Sequence, residues 1–572
     1  MEKKNLFTPA IRIPVGNSNF AEIRKEDLYY VDKTGFIFEL LNSTEKVRLI
    51  TRPRRFGKTL MMSMLENFFN VEKSNKELFK GLEISNYSNL CDAYMNQYPV
   101  IFLSFKTIEG MDFKSVSEAL IILISNLFQS YNYLLHSDKI DQEDRKLFSR
   151  FQSQNITVAE LKYSITFLTR LLYAYYDRQV IILLDEYDVP LAKAADYGYY
   201  QDMLDVMRGI LQVLKDNDYL KFAILTGCLR ISKESIFTGV NNFSTNSVLS
   251  RNFNKYFGFT EENVRRFLED FGVLSQYSTI KEWYDGYNFG GIDMYCPWDV
   301  TRYVMDYLTE GKKEAACYWA GSSGNAIIRS FIDRYAKVIK VDIERLLKGE
   351  SIKKKLYFNL TYGELQDSID NFWTVLYLSG YLTAQKDTDF SKVTEDGGSL
   401  SVKIPNTEVK QIFTDTIDKW IEAATGKVWD VSVLINAIFE KDVQTMSSEI
   451  TKILKKTISY FDYSENFYHA FLAGILRGAG QFVRTNLETG EGRSDIILED
   501  PDNGRVFIFE LKRTKVETEM EKTCYVALNQ IKEMRYDDDF LDDYDKIIHY
   551  GVAFYKKRCL VKSENQKASY RY

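Results

Sequence analysis

The first half of the chain alternates short apolar runs with longer stretches of helical periodicity. Apolar-rich runs of strand length cover residues 47–51, 98–105, 179–184 and 220–227, and the run Val180–Leu184 is unbroken. Apolar residues recur every three or four positions at 35–43, 115–131 and 157–176. Unbroken runs are typical of strands buried on both faces of a parallel sheet. The alternation therefore predicts an α/β fold with a doubly wound parallel sheet.

The second half follows a different order. Thr260 is a predicted N-cap for a helix at 261–270, and helical patterns recur at 299–310, 322–347 and 361–380. A strand after 376–382 and another at 400–404 enclose the polar turn 387–398. Helices followed by a β-hairpin indicate a winged-helix or lid module, which binds DNA in some proteins and couples domains in others.

The C-terminal part predicts strands joined by a tight turn. Apolar strand patterns cover 482–486, 494–498 and 506–512, and a helix pattern covers 518–536. The Asn-Gly pair in the turn 501–504 favours a hairpin between the last two strands. We expect three domains, at residues 1–260, 261–430 and 431–572.

Composition restricts the function classes. The 572 residues carry a net charge of −6 with a pI of about 5.6, which excludes a wholly basic nucleic-acid-binding surface but not a local basic groove. Six scattered cysteines without a C-x-x-C pair, and only three histidines, argue against a disulfide framework and a zinc or His-rich metal centre. The segment 1–7 lacks the apolar core of a signal peptide, and no run of 18 apolar residues appears. We expect a cytoplasmic protein without membrane association.

One loop has the chemistry of phosphate binding. After the strand 47–51, the basic segment 52–56 leads into Gly57-Lys58-Thr59, where a helix begins. Helix N-terminal N–H groups and Lys58 can bind phosphates, and the Thr59 hydroxyl can bind Mg²⁺. The usual first glycine of this P-loop motif is replaced by Arg52, and a GKT triplet alone also occurs by chance.

Two acids at the end of another strand strengthen this interpretation. Asp185 and Glu186 follow the apolar run 179–184, where an Asp can support Mg²⁺ and a Glu can polarise the attacking water. Alone, Asp185 is better explained as a strand cap. The run 220–227 ends in a polar residue followed by Arg230, a position that senses the γ-phosphate in ATPases whose sheet has an additional strand; a Thr there is otherwise a turn former. The carboxyl ends of parallel strands would gather these groups.

A second chemical signature lies near the C-terminus. Glu510 and Lys512 share one face of a predicted strand, and the hairpin can place Asp495 beside Glu510. Two carboxylates and a lysine suit metal-dependent phosphodiester hydrolysis, in which the acids hold Mg²⁺ or Mn²⁺ and the lysine stabilises developing charge. The alternative is a solvated salt bridge, which an E-x-K pattern alone favours. The apolar neighbours of Glu510 and the spacing fit a PD-(D/E)XK nuclease instead.

Several motifs in order resemble the bacterial AAA-ATPase-like family. They are Tyr-Val-Asp-Lys-Thr (30–34), Arg-Pro-Arg-Arg-Phe-Gly-Lys-Thr (52–59), Leu-Leu-Asp-Glu-Tyr-Asp (183–188), Thr-Gly-Cys-Leu-Arg-Ile-Ser-Lys-Glu-Ser-Ile-Phe (226–237) and Trp-Tyr-Asp-Gly-Tyr (283–287). The resemblance covers roughly residues 6–300 and implies ATP binding, with Arg52 as the family's usual form of the loop. We hypothesise that Arg52, Arg54 and Arg55 supply positive charge near the phosphates.

Residues 455–555 resemble the PD-(D/E)XK nuclease-like domain often fused behind that family's ATPase domain. The resemblance implies a metal-ligand acid at Glu465 and an assisting glutamine at Gln530. Ser494 stands where the superfamily's name has proline, a frequent departure. His469 either contributes to the site or, as we favour, packs and forms hydrogen bonds.

The sequence therefore predicts an enzyme with two sites, an ATPase module coupled to a Mg²⁺- or Mn²⁺-dependent nuclease. The nucleotide site would comprise Arg55, Gly57, Lys58, Thr59, Asp185, Glu186 and Arg230, and the nuclease site Glu465, Asp495, Glu510, Lys512 and Gln530. The expected partner is nucleic acid, DNA before RNA, and the sequence is compatible with a homo-oligomer. The alternative is a nucleotide-dependent switch or scaffold whose C-terminal domain binds a partner or nucleic acid without cutting.

Overall fold

Five parallel strands form the sheet that the apolar runs of the first half predict. In the computed structural model they are β1 (Val47–Thr51), β2 (Val100–Ser104), β3 (Val180–Asp185), β4 (Leu220–Gly227) and β5 (Phe243–Asn246). Their order is β2-β3-β4-β1-β5, and every neighbouring pair is parallel. All residues of β1 and β3 are buried, which explains the unbroken apolar run from Val180 to Leu184.

The structure describes residues 12–566 except 230–236, 238–239, 241, 320–338, 340, 359, 361–363, 367, 391–392, 394–396, 415–430, 458–464, 480 and 490–491. The chain divides into two compact units, Met1–Phe331 with Arg345–Ile412, and Ile332–Glu344 with Phe413–Tyr572. The first unit holds most of both the predicted first and middle domains. The three-domain division stays a prediction.

Helices surround the parallel sheet in the first unit. They are α1 (Phe20–Lys25), α2 (Gly35–Leu41), α3 (Lys58–Phe69), α4 (Ser88–Tyr94), α5 (Phe113–Ser130), α6 (Gln142–Gln152), α7 (Val158–Tyr176), α8 (Val189–Tyr197) and α9 (Tyr200–Ile210). The start of α7 is fixed by a capping box between Thr157 and Glu160. Apolar side chains of α2, α3 and the sheet form one continuous core. This core holds the P-loop helix against the strands.

The middle region of the first unit is mainly helical. It contains α10 (Glu261–Asp270), α11 (Tyr277–Tyr284), α12 (Pro297–Glu310) and α13 (Ile369–Leu378). The segments 341–347 and 407–414 are also helical, and the boundary between the two units falls within each of them. Thr260 caps α10 as predicted, accepting a hydrogen bond from the Asn263 N–H. A hairpin of β6 (Tyr287–Phe289) and β7 (Ile292–Met294) follows α11.

A small antiparallel sheet completes this unit. Its strands β8 (Ile352–Leu356), β9 (Thr383–Ala384) and β10 (Gly398–Lys403) lie in the order β8-β10-β9. The predicted hairpin corresponds to β9 and β10. Sequence reasoning did not predict β8, because Lys353-Lys354-Lys355 resembles a solvated run; the Lys354 ammonium lies 4.7 Å from the Trp373 ring centroid. The predicted helices at 322–347 and 361–380 and the turn 387–398 fall partly outside the described residues.

The second unit is a five-stranded mixed sheet between two helical layers. Its elements are α14 (Ser432–Glu440), α15 (Val443–Thr457), α16 (Glu465–Gly478), β11 (Phe482–Thr489), β12 (Gly492–Asp500), β13 (Arg505–Arg513), α17 (Met520–Glu533), β14 (Lys546–Tyr555) and β15 (Arg558–Gln566). The strands lie in chain order, antiparallel except for β13 and β14. Helices α14 to α16 pack on one face and α17 on the other.

Candidate nucleotide and nuclease sites

The P-loop turns sharply between β1 and α3. Gly57, the N-cap of α3, has φ +81°, a left-handed conformation that glycine adopts without steric cost. Arg55 also has positive φ, at +69°. The turn directs the first N–H groups of a twelve-residue helix toward the end of the sheet where β3 and β4 also terminate.

Lys58 closes the loop on itself. Its ammonium group is buried and donates hydrogen bonds of 3.0 Å to the carbonyls of both Arg52 and Pro53. These are main-chain acceptors that a phosphate oxygen can replace. Lys58 therefore lies within reach of a bound phosphate, and its buried ammonium group has hydrogen-bond partners before a phosphate binds.

Thr59 and Asp185 meet as the sequence predicts. The Thr59 hydroxyl donates to Asp185 Oδ2 at 2.9 Å, across the gap between α3 and the end of β3. The Asp185 carboxylate is fully buried and also accepts a 2.5 Å hydrogen bond from the Thr226 hydroxyl on β4. Ser104, at the end of β2, lies 3.4 Å away. Thr226 and Ser104 were not among the predicted site residues, although both are polar ends of buried strands.

Glu186 has a strained backbone and a restricted environment. Its φ is +50°, unusual for a residue with a side chain, and outliers of this kind cluster at functional sites. Burial raises the pKa of its carboxyl group, while the nearby Lys58 ammonium opposes the rise.

Asp188 is a further acid that the sequence analysis did not select. It is buried and accepts hydrogen bonds of 2.9 Å from the N–H groups of Cys228 and Leu229, which fixes the chain leaving β4. Burial raises the pKa of its carboxyl group. Gly227 permits this approach, since a Cβ there would lie 2.7 Å from Asp188 Oδ1. In the sequence, the feature that could have indicated this role is the position of Asp188 as the third acid of the segment 185–188.

Arg52 lies beneath the loop. Its guanidinium is fully buried, donates 2.8 Å hydrogen bonds to the carbonyls of Thr51 and Asn246, and lies 5.3 and 5.5 Å from the ring centroids of Phe257 and Phe289. Burial lowers its pKa to about 9. These contacts assign Arg52 to holding the loop together rather than to the phosphates.

Arg55 and Phe56 connect the loop to the middle region of the same unit. Phe56 is buried with ring centroids 5.0 Å from those of both Tyr287 and Phe289. The Arg55 guanidinium lies 4.7 Å from the Trp298 ring centroid and donates to the Tyr318 carbonyl. Arg230 lies outside the described residues, so its predicted role stays a prediction.

In the second unit, strand register places the predicted nuclease residues together. Ile496 pairs with Phe509 across β12 and β13, so the next position of this antiparallel register sets Asp495 opposite Glu510. Asp495 Oδ2 accepts the Leu511 N–H at 2.8 Å, and the Lys512 ammonium lies 2.9 Å from Glu510 Oε1. Glu510 is 1% exposed, which rules out the solvated salt bridge.

Helix α17 passes very close to this site. Gly551 on β14 pairs with Glu510, and a Cβ at Gly551 would lie 2.2 Å from the Cys524 carbonyl oxygen. On the other helical layer, His469 donates through Nε2 to the Asp495 carbonyl oxygen at 2.6 Å. In the sequence, a glycine within an otherwise apolar strand pattern is the feature that could have indicated the close approach of a helix.

The remaining predicted residues lie on the flanking helices. Gln530 is on α17 and its amide donates to the Tyr536 hydroxyl at 3.2 Å. Glu465 is the first residue of α16, and its side chain lies outside the described part. Asp495 and Glu510 supply the carboxylate oxygens that Mg²⁺ prefers, with water completing its shell. Among the described side chains, no third metal-binding residue joins them.

Comparisons with known proteins match the regions of the two candidate sites to two different family models. Residues 14–237 match the family model described as predicted AAA-ATPase, and residues 463–564 match that of the PD-(D/E)XK nuclease superfamily. An uncharacterized protein in the vnfD 5' region of Azotobacter chroococcum mcd 1 is 26% identical over 557 residues, 95% of this chain and 96% of that protein.

Among solved structures, the ORC2 protein of Aeropyrum pernix aligns with 69% of this chain and 93% of its own, at 12% identity and a TM-score of 0.29, which is too low to inform fold or function. Within the described residues, no helix has both the length and the apolar character needed to cross a bilayer. The family match over residues 14–237 agrees with the parallel sheet and its P-loop. The match over residues 463–564 agrees with the mixed sheet and its acids. The chain fuses a domain of the predicted AAA-ATPase family to a domain of the PD-(D/E)XK nuclease superfamily.

Proposed function

We propose that this protein binds ATP with Mg²⁺ in its first unit and hydrolyses phosphodiester bonds of DNA, or of RNA, in its second. The nuclease assignment rests on one observation: the last pair of the β12–β13 register, Ile496 with Phe509, brings Asp495 next to Glu510, which Lys512 contacts. Such an arrangement on a buried strand has a high desolvation cost, which a purely structural role does not require.

Each residue of the nuclease site has a role that its contacts support. The Leu511 N–H holds the Asp495 carboxylate in one orientation, and the mostly buried Glu510 presents its carboxylate beside it. The Lys512 ammonium is placed to stabilise negative charge on a phosphate. A bound Mg²⁺ or Mn²⁺ would polarise the phosphate and lower the pKa of a water. Glu465 and Gln530 are proposed to assist from the flanking helices.

The nucleotide site is proposed to work by exchange of hydrogen bonds. Lys58 would leave the carbonyls of Arg52 and Pro53 for the phosphates, with Gly57 allowing their approach. Thr59 and Asp185 would hold the magnesium ion, directly or through water. Arg55 and Arg230 are proposed phosphate contacts.

The nuclease proposal is tested with plasmid DNA and a single-stranded RNA, each incubated with Mg²⁺ or Mn²⁺, with and without ATP. Wild type should cut at least one substrate, and Glu510→Ala and Asp495→Asn should reduce the rate by about a thousandfold or more. Glu517→Ala, which changes an exposed glutamate after the same strand, is the control. Equal rates for wild type and Glu510→Ala contradict the assignment.

One observation favours a second candidate, a nucleotide-dependent switch. The observation is the net charge of −6 without a long basic stripe, which supports a switch or scaffold role over cleavage of nucleic acid. Binding of ATP to wild type but not to Lys58→Ala, without turnover by either, favours the switch. Turnover that Glu186→Gln abolishes favours the ATPase. The predicted homo-oligomer and cytoplasmic location stay proposals.

A further inference from the structure

A buried pair of carboxyl groups lies behind the P-loop. Asp299 on α12 and Glu408 in the helical segment 407–414 are both fully buried. Glu408 Oε1 accepts a hydrogen bond from the Trp319 N–H, and the side chains of Glu408 and Cys296 lie within hydrogen-bonding reach of Asp299. Fully buried acidic side chains are rare in native structures and call for an explanation.

Burial disfavours the ionised form of both carboxyl groups. Burial raises the pKa of both carboxyl groups, and the negative charge of Asp299 raises that of Glu408 further. The Arg55 guanidinium opposes the rise at Asp299. Ionisation is thus disfavoured at Glu408 by both burial and Asp299, whereas the Arg55 guanidinium favours the ionised form of Asp299.

Both contacts of Arg55 lead to this acid pair. The guanidinium lies over the ring of Trp298, the residue preceding Asp299 in α12. It also donates to the carbonyl of Tyr318, and the next residue, Trp319, donates its N–H to Glu408 Oε1 at 2.7 Å. Glu408 thus anchors the segment that carries one contact of the loop arginine, and Asp299 lies on the helix that carries the other.

Stability alone does not account for two carboxyl groups at this place. Apolar residues of similar size fill an interior at no desolvation cost, and replacing buried ionic groups by them is often neutral or stabilising. The surroundings are already apolar and aromatic, as the packing of Phe56 on Tyr287 and Phe289 demonstrates. The acids therefore point to a role in placing the loop.

We infer that Glu408 and Asp299 are positioning residues for Arg55, which fix its guanidinium, and with it the P-loop, in the geometry that binds the nucleotide phosphates. This inference rests on the proposed nucleotide-binding function. It adds two residues more than 240 positions from the loop to the determinants of nucleotide affinity.

The first test measures the affinity of the full-length protein for a fluorescent ATP analogue with Mg²⁺. Glu408→Ala should weaken binding about tenfold, equal to about 1.4 kcal/mol, and Glu408→Gln, which keeps an acceptor for the Trp319 N–H, should restore it to within about threefold of wild type. Asp299→Asn should weaken binding severalfold. In an Arg55→Ala background, neither Glu408→Ala nor Asp299→Asn should have a further effect. Glu282→Ala, an exposed acid on α11, is the control.

A second measurement needs no nucleotide. A double-variant cycle compares the urea midpoints of unfolding of wild type, Arg55→Ala, Glu408→Ala and the double variant. The midpoint shift caused by Glu408→Ala should be smaller in the Arg55→Ala background than in wild type. If Glu408→Ala does not fold, Asp299→Asn replaces it in both measurements. Additive shifts, or unchanged affinity in well-folded variants, overturn the inference. If the wild-type protein does not bind ATP, the proposed nucleotide function is overturned. The urea cycle still tests the coupling between Arg55 and Glu408 in that case.

Discussion

His469 Nε2 lies 2.6 Å from the main-chain carbonyl oxygen of Asp495 and donates a hydrogen bond to it. This bond joins α16 to β12 at the position of a proposed metal ligand. The histidine thereby holds the strand, and the Leu511 N–H holds the carboxylate of the same residue. Asp495 is fixed from two sides, which is how a metal ligand is kept in one geometry before the metal binds.

Removal of this contact should impair cleavage more than folding. We expect His469→Ala to lower nuclease activity about tenfold or more, since positioning partners of metal ligands commonly contribute that much. His469→Asn, whose amide can still donate, should retain more activity. The measurement is the rate of plasmid nicking with Mn²⁺ as its concentration is varied. His136→Ala in the first unit is the matched control, and activity equal to wild type in His469→Ala would contradict the role.

The Thr226 hydroxyl should matter because it holds Asp185 at 2.5 Å. Thr226→Val removes this donor and leaves a buried carboxylate with one hydrogen bond fewer, at a cost of about 1–3 kcal/mol. We expect weaker Mg²⁺-dependent ATP binding, measured by calorimetry, with recovery in Thr226→Ser. The control is Thr245→Val on β5, where the hydroxyl has no hydrogen-bond partner among the described residues. Equal effects of the two valine substitutions would be evidence against the assignment.

ATP turnover, where it occurs, should rise with pH. Burial raises the pKa of Glu186, so the carboxylate form that accepts a proton becomes populated only as the pH passes this raised value. The rate of phosphate release should therefore increase from acidic toward neutral pH. Glu186→Gln should abolish the increase while ATP affinity stays within about threefold of wild type. A flat profile in wild type would remove Glu186 from the mechanism.

Gly551 should not tolerate a side chain. A Cβ there would meet the Cys524 carbonyl oxygen at 2.2 Å and Leu528 at 2.8 Å, so Gly551→Ala should displace α17 and destabilise the protein by about 1–3 kcal/mol or more. Gly474→Ala on α16 is the matched control, since its Cβ meets nothing within 4 Å. The control should be neutral or stabilising by up to about 1 kcal/mol. Urea unfolding of both variants measures the difference, and similar midpoints would contradict the close approach of α17.

Much of the fold follows from local pattern. The strand Val47–Thr51 and the helix Glu261–Asp270 have the bounds that their apolar pattern and the Thr260 cap predict. The strand β8 was not predicted, because its three lysines conceal the alternation. Strands β5, β14 and β15 were also not selected. Pairing of these strands depends on residues distant in sequence, which periodicity does not record.

The residues of the candidate sites also fall into those that the sequence identified and those that it did not. The sequence identified Lys58, Thr59 and Asp185, and Asp495, Glu510 and Lys512, because each follows a recognisable strand or turn. It did not identify Thr226, Asp188 or the acid pair of Asp299 and Glu408. Single polar residues among apolar ones have no distinctive spacing, and they gain meaning only from their neighbours in space.

By itself, the sequence determined that this chain has a parallel sheet with a P-loop and a later strand carrying an acid and a lysine on one face, since periods of 2 and 3.6 and turn residues are local properties. Only the tertiary structure decided that Arg52 is buried beneath the loop and that Arg55 contacts Trp298 and Tyr318. Contacts between distant segments depend on how burial and hydrogen bonding are satisfied together, and the position of an arginine in a motif does not determine them.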